Sequence, residues 1–151
     1  KARGVVFVPG PVKIAAQFDL FCRIAWECIG ARVLVEELSR VTSPSWAPAS
    51  WQNLSTAGRH RKLELIGTAQ RPAQIDKDFL GNCTLIRCYR LNYENDAKAV
   101  SSVLRVPWES LMDLPDLHYL ERHIAARENV AGVQQIVGAS KKTDRLRPKF
   151  P

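Results

Sequence analysis

The sequence predicts an open α/β fold, parallel strands covered by helices, and three observations carry that prediction. Short apolar runs at Val5–Val8, Ala31–Val35, Leu63–Thr68 and Thr84–Tyr89 alternate with segments of helical period, the pattern of successive βαβ units. The segments between the runs are long enough to serve as crossovers between parallel strands. The composition, 46% apolar and 25% charged over 151 residues, gives one domain with a sizeable core and excludes collagen-like, disordered and disulfide-dense classes.

Each element follows in order. Val5–Val8 closes on Pro9-Gly10-Pro11 and reads as a core strand, apolar on both faces. From Lys13 to Ile29 the residues Ile14, Phe18, Phe21, Cys22, Ala25 and Ile29 recur at helical spacing, and Gly30 follows as a C-cap. Ala31–Val35 is the second strand and ends abruptly in Glu36-Glu37. Ser39–Pro48, rich in serine, threonine and proline, is a loop. Ala49–Arg61 predicts a helix with Trp51 and Leu54 inward, ending in the basic run Arg59-His60-Arg61-Lys62. Leu63–Thr68 is a third strand, cut off before Pro72.

Asp76 caps a short helix through Leu80, and Thr84–Tyr89 is the fourth strand. Asn95 or Asp96 caps a helix with Ala97, Val100, Val103 and Leu104 on one face. Beyond Pro107 the pattern predicts a short helix, Trp108–Met112, and two strands, His118–Ile124 and Val133–Val137, around a polar turn. Residues 1–138 form the domain, and residues 139–151 a basic, flexible tail whose last eleven positions hold five Lys or Arg against one acid.

The formal charge of +7 favours contact with polyanions. No stretch approaches the roughly 18 apolar residues of a membrane span, and the chain reads as cytoplasmic. Cys22, Cys28, Cys83 and Cys88 lie inside apolar segments without a C-x-x-C pair, which predicts free thiols. The three histidines, His60, His118 and His123, lack metal-ligand spacing. The four tryptophans are scattered and read as packing residues.

In open α/β sheets ligands bind beyond the carboxyl ends of the strands. Glu36-Glu37 and Gln70-Arg71 stand at two such ends. One carboxylate of an acidic pair there can hold Mg²⁺ while the next deprotonates an attacking water. A glutamine amide can contact a γ-phosphate, and an arginine can neutralise charge on the phosphoryl oxygens. The bland reading of the same residues is a solvated strand end and a capped turn.

Taken together, Arg32-Val33-Leu34-Val35-Glu36-Glu37, Gly58-Arg59-His60-Arg61 and Leu65-Ile66-Gly67-Thr68-Ala69-Gln70-Arg71-Pro72 resemble the additional-strand P-loop ATPases. Within them the likeness is to FtsK/HerA-like motors, which include viral packaging ATPases and Zot-like phage assembly proteins. Asn82, Arg87-Cys88-Tyr89-Arg90-Leu91 and Asp96 continue it, and it runs from Val5 to Leu104. The resemblance implies a three-layer RecA-like sheet, mostly parallel, and an ATPase that takes ATP and Mg²⁺ and translocates or packages DNA, or another macromolecule, as a homo-oligomeric ring in a bacterial host cell or associated with a virion. It makes Glu36 the metal ligand, Glu37 the general base, Gln70 the sensor and Arg71 a nucleotide contact, with Arg59 as a finger reaching a neighbouring subunit's site.

Two features depart from the family. Its first acid is usually aspartate, where this chain has Glu36, and no G-x-x-x-x-G-K-S/T occurs in the sequence. Pro9-Gly10-Pro11 is no substitute, because proline removes the N–H groups a phosphate cradle needs. In the family, the strand bearing that loop lies between the strands that are here Leu63–Thr68 and Thr84–Tyr89. The resemblance therefore implies a hole in the sheet, a carboxyl part of a longer ATPase, and no hydrolysis by this chain alone. The alternative is a non-hydrolysing, basic α/β module for nucleic-acid binding or assembly. On either reading Lys141, Lys142, Arg145, Arg147 and Lys149 are expected to contact DNA phosphates weakly and without sequence preference.

Overall fold

The structure is a computed structural model that describes residues 4–134. Helix α1 (Ile14–Glu27) turns Phe18, Cys22 and Ala25 inward. Gly30, at φ 72°, then redirects the chain into β1 (Arg32–Val35). Helix α2 (Ala49–Ala57) runs on into a 3-10 turn, Gly58–Arg61, and crosses to β2 (Glu64–Gly67). β2 pairs with β1 in parallel, from Arg32 opposite Glu64 to Val35 opposite Gly67. Trp51 is the centre of this first core, fully buried between the rings of Phe18 and Phe79 at 5.5 and 5.1 Å.

A 3-10 turn, Pro72–Gln74, and the short helix α3 (Lys77–Asn82) lead to β3 (Leu85–Tyr89). Asp76 caps α3 as expected, its carboxylate accepting the Asp78 N–H at 3.1 Å. Helices α4 (Glu94–Leu104) and α5 (Glu109–Met112) follow, and then the hairpin β4 (His118–His123) and β5 (Glu128–Val133). β3, β4 and β5 form an antiparallel sheet in that order. Ile86, Cys88, Ala97, Val100, Leu104, Leu111 and Leu120 fill a second core beneath it. Leu80 of α3 packs against both cores.

The expected alternation of strands and helices is present from Ile14 to Leu104, but four details differ. Val5–Val8 forms no strand: Val5, Val6 and Val8 are 85%, 90% and 81% exposed, and the segment is tied down chiefly through Phe7, stacked on Phe21 at 5.5 Å. An apolar run becomes a core strand only where a sheet edge and two covering faces receive it, and this one meets a single helix. The sheet is not mostly parallel either. Among the described residues one ladder is parallel and two are antiparallel, because β3 takes the returning hairpin as its partner.

Helix α4 begins at Glu94, so Asn95 and Asp96 lie in its first turn and neither is the cap. The last strand occupies Glu128–Val133 in place of Val133–Val137. Its register is set by Tyr119, which lies across Gly132: a Cβ at position 132 would come within 2.3 Å of the tyrosine ring. Residues 135–151, with the predicted tail and its five cations, lie outside the described residues.

The four cysteines are free. Burial pushes the thiols of Cys22 and Cys88 up to about 12 and that of Cys83 to about 11, so all three stay protonated at neutral pH.

Candidate functional site

Where β1 runs out, the backbone reverses sharply. Glu36 is exposed, and Glu37 adopts the left-handed conformation, φ 57°. A residue with a Cβ pays roughly 1–3 kcal/mol to sit there, so the conformation persists only where neighbours hold it. The neighbours here are the ends of β2. The Glu37 N–H donates to Thr68 Oγ1 at 3.3 Å, and the Leu38 N–H to the Thr68 carbonyl at 2.8 Å. In return the Glu37 carboxylate accepts the backbone N–H of Gln70, at 3.2 and 3.3 Å, and the hydroxyl of Ser39. The turn thus folds the Glu37 side chain back across the carboxyl ends of the parallel pair and fixes it against the loop after β2.

Glu37 and Gln70, which stand 33 positions apart in sequence, are therefore brought together. The side-chain amide of Gln70 makes no hydrogen bond among the described residues and stays exposed. Arg71 is drawn to the other side of the loop. Its Nε lies 2.6 Å from Asp96 Oδ2, and its guanidinium covers the Tyr93 ring at 4.2 Å. Asp96 Oδ1 accepts the Ala73 N–H at 2.9 Å.

Arg59 is not part of this cluster. The Gly30 N–H donates to the Arg61 carbonyl and the Glu64 N–H to the Ala31 carbonyl, each at 3.0 Å, which places the basic turn at the amino ends of β1 and β2. Four strand residues separate it from Gln70, on the order of 13 Å. Arg61 of the same turn packs over Trp26 at 5.0 Å and reaches Glu27 at 3.4 Å.

Among the described residues no three His, Cys, Asp or Glu side chains form a metal cluster. The exposed Glu36 suits Mg²⁺ as a single carboxylate ligand, since that ion takes most of its shell from phosphate and water.

Beside the Glu37–Gln70 cluster the two sheets stand apart. No ladder joins β2 to β3, and a cavity of about 400 Å³ lies between them, lined by Gly67, Gln70, Phe79, Ile86, Tyr89 and Val100 among others. Apolar side chains on strands of both sheets are left open to solvent: Leu34 is 59% and Leu85 46% exposed.

Sequence reasoning gave no site role to three residues found here: Ser39, Thr68 and Asp96. Ser39 and Thr68 stand within three positions of Glu37 and Gln70, so hydroxyls at strand ends were a usable signal; Asp96 was expected as a helix cap and as part of the family likeness, with nothing to tie it to the loop after β2.

No family model matches the chain, and no curated protein matches it. Its fold is similar to that of viral genome-packaging NTPases of known structure. The genome-packaging NTPase B204 from Sulfolobus turreted icosahedral virus 2, in complex with ATP-gammaS, superposes with a TM-score of 0.62 at 16% identity over 75% of this chain and 62% of that one. Its complex with AMP gives 0.65 at 13%, over 85% and 64%. B204, the DNA-packaging ATPase from Sulfolobus turreted icosahedral virus, gives 0.60 at 15%, over 82% and 60%. At these identities the likeness is one of fold, and this chain spans under two thirds of the length of each.

Proposed function

We propose that the chain is the Walker B and sensor half of an ATP-driven motor of the FtsK/HerA type that packages or translocates DNA or another macromolecule. The observation that carries this reading is the meeting of Glu37 with Gln70 at the carboxyl ends of the parallel pair, beside an open gap in the sheet. Glu37 accepts the proton of the attacking water as the water oxygen bonds to the γ-phosphorus and the bond from that phosphorus to the β–γ bridging oxygen breaks, releasing ADP. Its carboxylate is already oriented by Ser39 and by the Gln70 N–H, so little rearrangement precedes the transfer. The free amide of Gln70 contacts the γ-phosphate, and the half-exposed guanidinium of Arg71 lends positive charge beside it.

Mg²⁺, held in part by Glu36, supplies neutralising charge on the phosphates when bound. Arg59, at the far end of the strands, serves the site of a neighbouring copy in a ring. The gap between β2 and β3 takes a strand that carries the phosphate loop. The sequence holds no G-x-x-x-x-G-K-S/T, so these 151 residues alone are expected to hydrolyse no ATP. The greater length of the solved packaging NTPases agrees with a further segment.

The reading frame upstream of Lys1 tests the proposal directly. A strand followed by G-x-x-x-x-G-K-S/T supports the motor. A start codon close to Lys1 supports the second reading, a basic, non-hydrolysing module for nucleic-acid binding or assembly, which the lack of a phosphate cradle in this sequence favours. In a protein that includes the loop, Glu37→Gln is expected to lower kcat by about 10²–10⁴-fold while ATP still binds, because the amide keeps the shape but accepts no proton. Equal turnover in mutant and parent removes Glu37 from the mechanism.

A further inference from the structure

We infer that Asp96 is a positioning residue for the Glu37–Gln70 pair, acting through the loop between β2 and α3 without touching substrate; the inference rests on the site proposed above. Asp96 is 1% exposed, on the buried face of α4 with Ala97 and Val100. A carboxylate buried there is tolerated only if its oxygens are fully engaged. Standing in the first turn of α4, it could accept N–H groups of its own helix, yet both oxygens go elsewhere. Oδ2 takes Arg71 Nε at 2.6 Å and Oδ1 takes the Ala73 N–H at 2.9 Å. Both partners belong to one loop, which closes on itself through the Gln74 N–H to the Arg71 carbonyl at 2.9 Å.

Gln70 immediately precedes this pinned segment, and its N–H is the donor that orients the Glu37 carboxylate. The loop is therefore held between two carboxylates, Glu37 from the end of β1 and Asp96 from α4, with a single peptide link between the Gln70 and Arg71 anchors. Tyr93, one turn before Asp96, covers the Arg71 guanidinium at 4.2 Å and keeps it from swinging out. Glu37 sits in a conformation that needs outside support. Loosening the Asp96 end frees the loop, weakens the Gln70 bond and lets Glu37 relax out of line with the gap.

Amide hydrogen exchange on the 151-residue chain tests this without nucleotide. Asp96→Asn keeps shape and an acceptor for Ala73 but drops the charge on Arg71. The Gln70 N–H is expected to exchange about tenfold faster, while the Glu64 and Leu91 amides, which bond to Ala31 and Leu111 in the two cores, keep their rates. Arg71→Gln leaves the Asp96–Ala73 bond in place and is expected to speed Gln70 alone, which decides the question if Asp96→Asn fails to fold. An unchanged Gln70 rate in whichever variant folds overturns the inference. So does a joint rise at Gln70, Glu64 and Leu91, which makes Asp96 a residue of fold stability only. Because the readout is a backbone amide in the absence of ATP, its failure leaves the hydrolysis proposal standing, and a failure of Glu37→Gln to affect turnover leaves the clamp standing.

Discussion

Gly67, the last residue of β2, is where the floor of the site meets the first core. A Cβ added there would lie 2.3 Å from Leu38 Cδ1 and 2.9 Å from the Phe79 ring. Leu38 is fully buried and follows Glu37 directly, so any shift it makes is passed to the turn that aims the carboxylate. Gly67→Ala is expected to destabilise the first core by about 1–3 kcal/mol, the usual cost of overfilling a packed core, measured as a lowered urea midpoint with an unchanged slope for the transition that exposes Trp51; a neutral midpoint would mean that Leu38 and Phe79 yield freely. Glu36, Glu37 and Gln70 were legible in the sequence because they follow apolar runs. The left-handed turn at Glu37 was not, since nothing in a glutamate announces a positive φ. Nor was the bond between Arg71 and Asp96, whose partners stand 25 positions apart.

At the scale of elements, the β3–β4 pair carries a charged cluster on its outer face. Arg87 Nε lies 2.6 Å from Glu121 Oε2, His123 Nε2 lies 2.6 Å from Oε1, and Arg87 covers the Tyr119 ring at 4.3 Å. Burial by itself would raise the Glu121 carboxyl, but the bonds from Arg87 and His123 outweigh it and hold the group below its ordinary 4.5. A carboxyl lowered on folding adds stability that is fully present above the unfolded value and is lost as the pH falls through the lower, folded one. Glu121→Gln is expected to cost about 3 °C of melting temperature at pH 7. The difference from the parent should shrink below pH 4.5. A difference independent of pH would assign the loss to packing.

The helices and the strands up to β3 were readable because each shows a single period against one core. β4 and β5 were harder. Glu121 and Arg122 are buried polar residues in the middle of β4, and β5 is almost wholly exposed, so the alternation that marks a hairpin was broken. Val5–Val8 carried the opposite signal, strong apolarity without a partner edge.

Across the whole molecule the excess of positive charge, +7, governs encounters with polyanions. Weak binding to duplex DNA is expected, with affinity falling by a log–log salt slope of about −0.9 per phosphate contact. Deleting residues 141–151, with Lys141, Lys142, Arg145, Arg147 and Lys149, should make that slope shallower by as much as about 4.5 and weaken all sequences alike. Unchanged affinity and slope on deletion would mean that the tail is only a solvated arm.

The open seam between β2 and β3 also governs how the chain comes apart. Unfolding is all-or-none when losing one part strips contacts from the rest. Here each sheet closes on its own core, no backbone ladder crosses among the described residues, and helix α3 with the Arg71–Asp96 clamp spans the divide. Each half is thus expected to behave as a cooperative unit, able to open while the other persists. A strand seated in the seam would bond to both halves and merge two melting units into one.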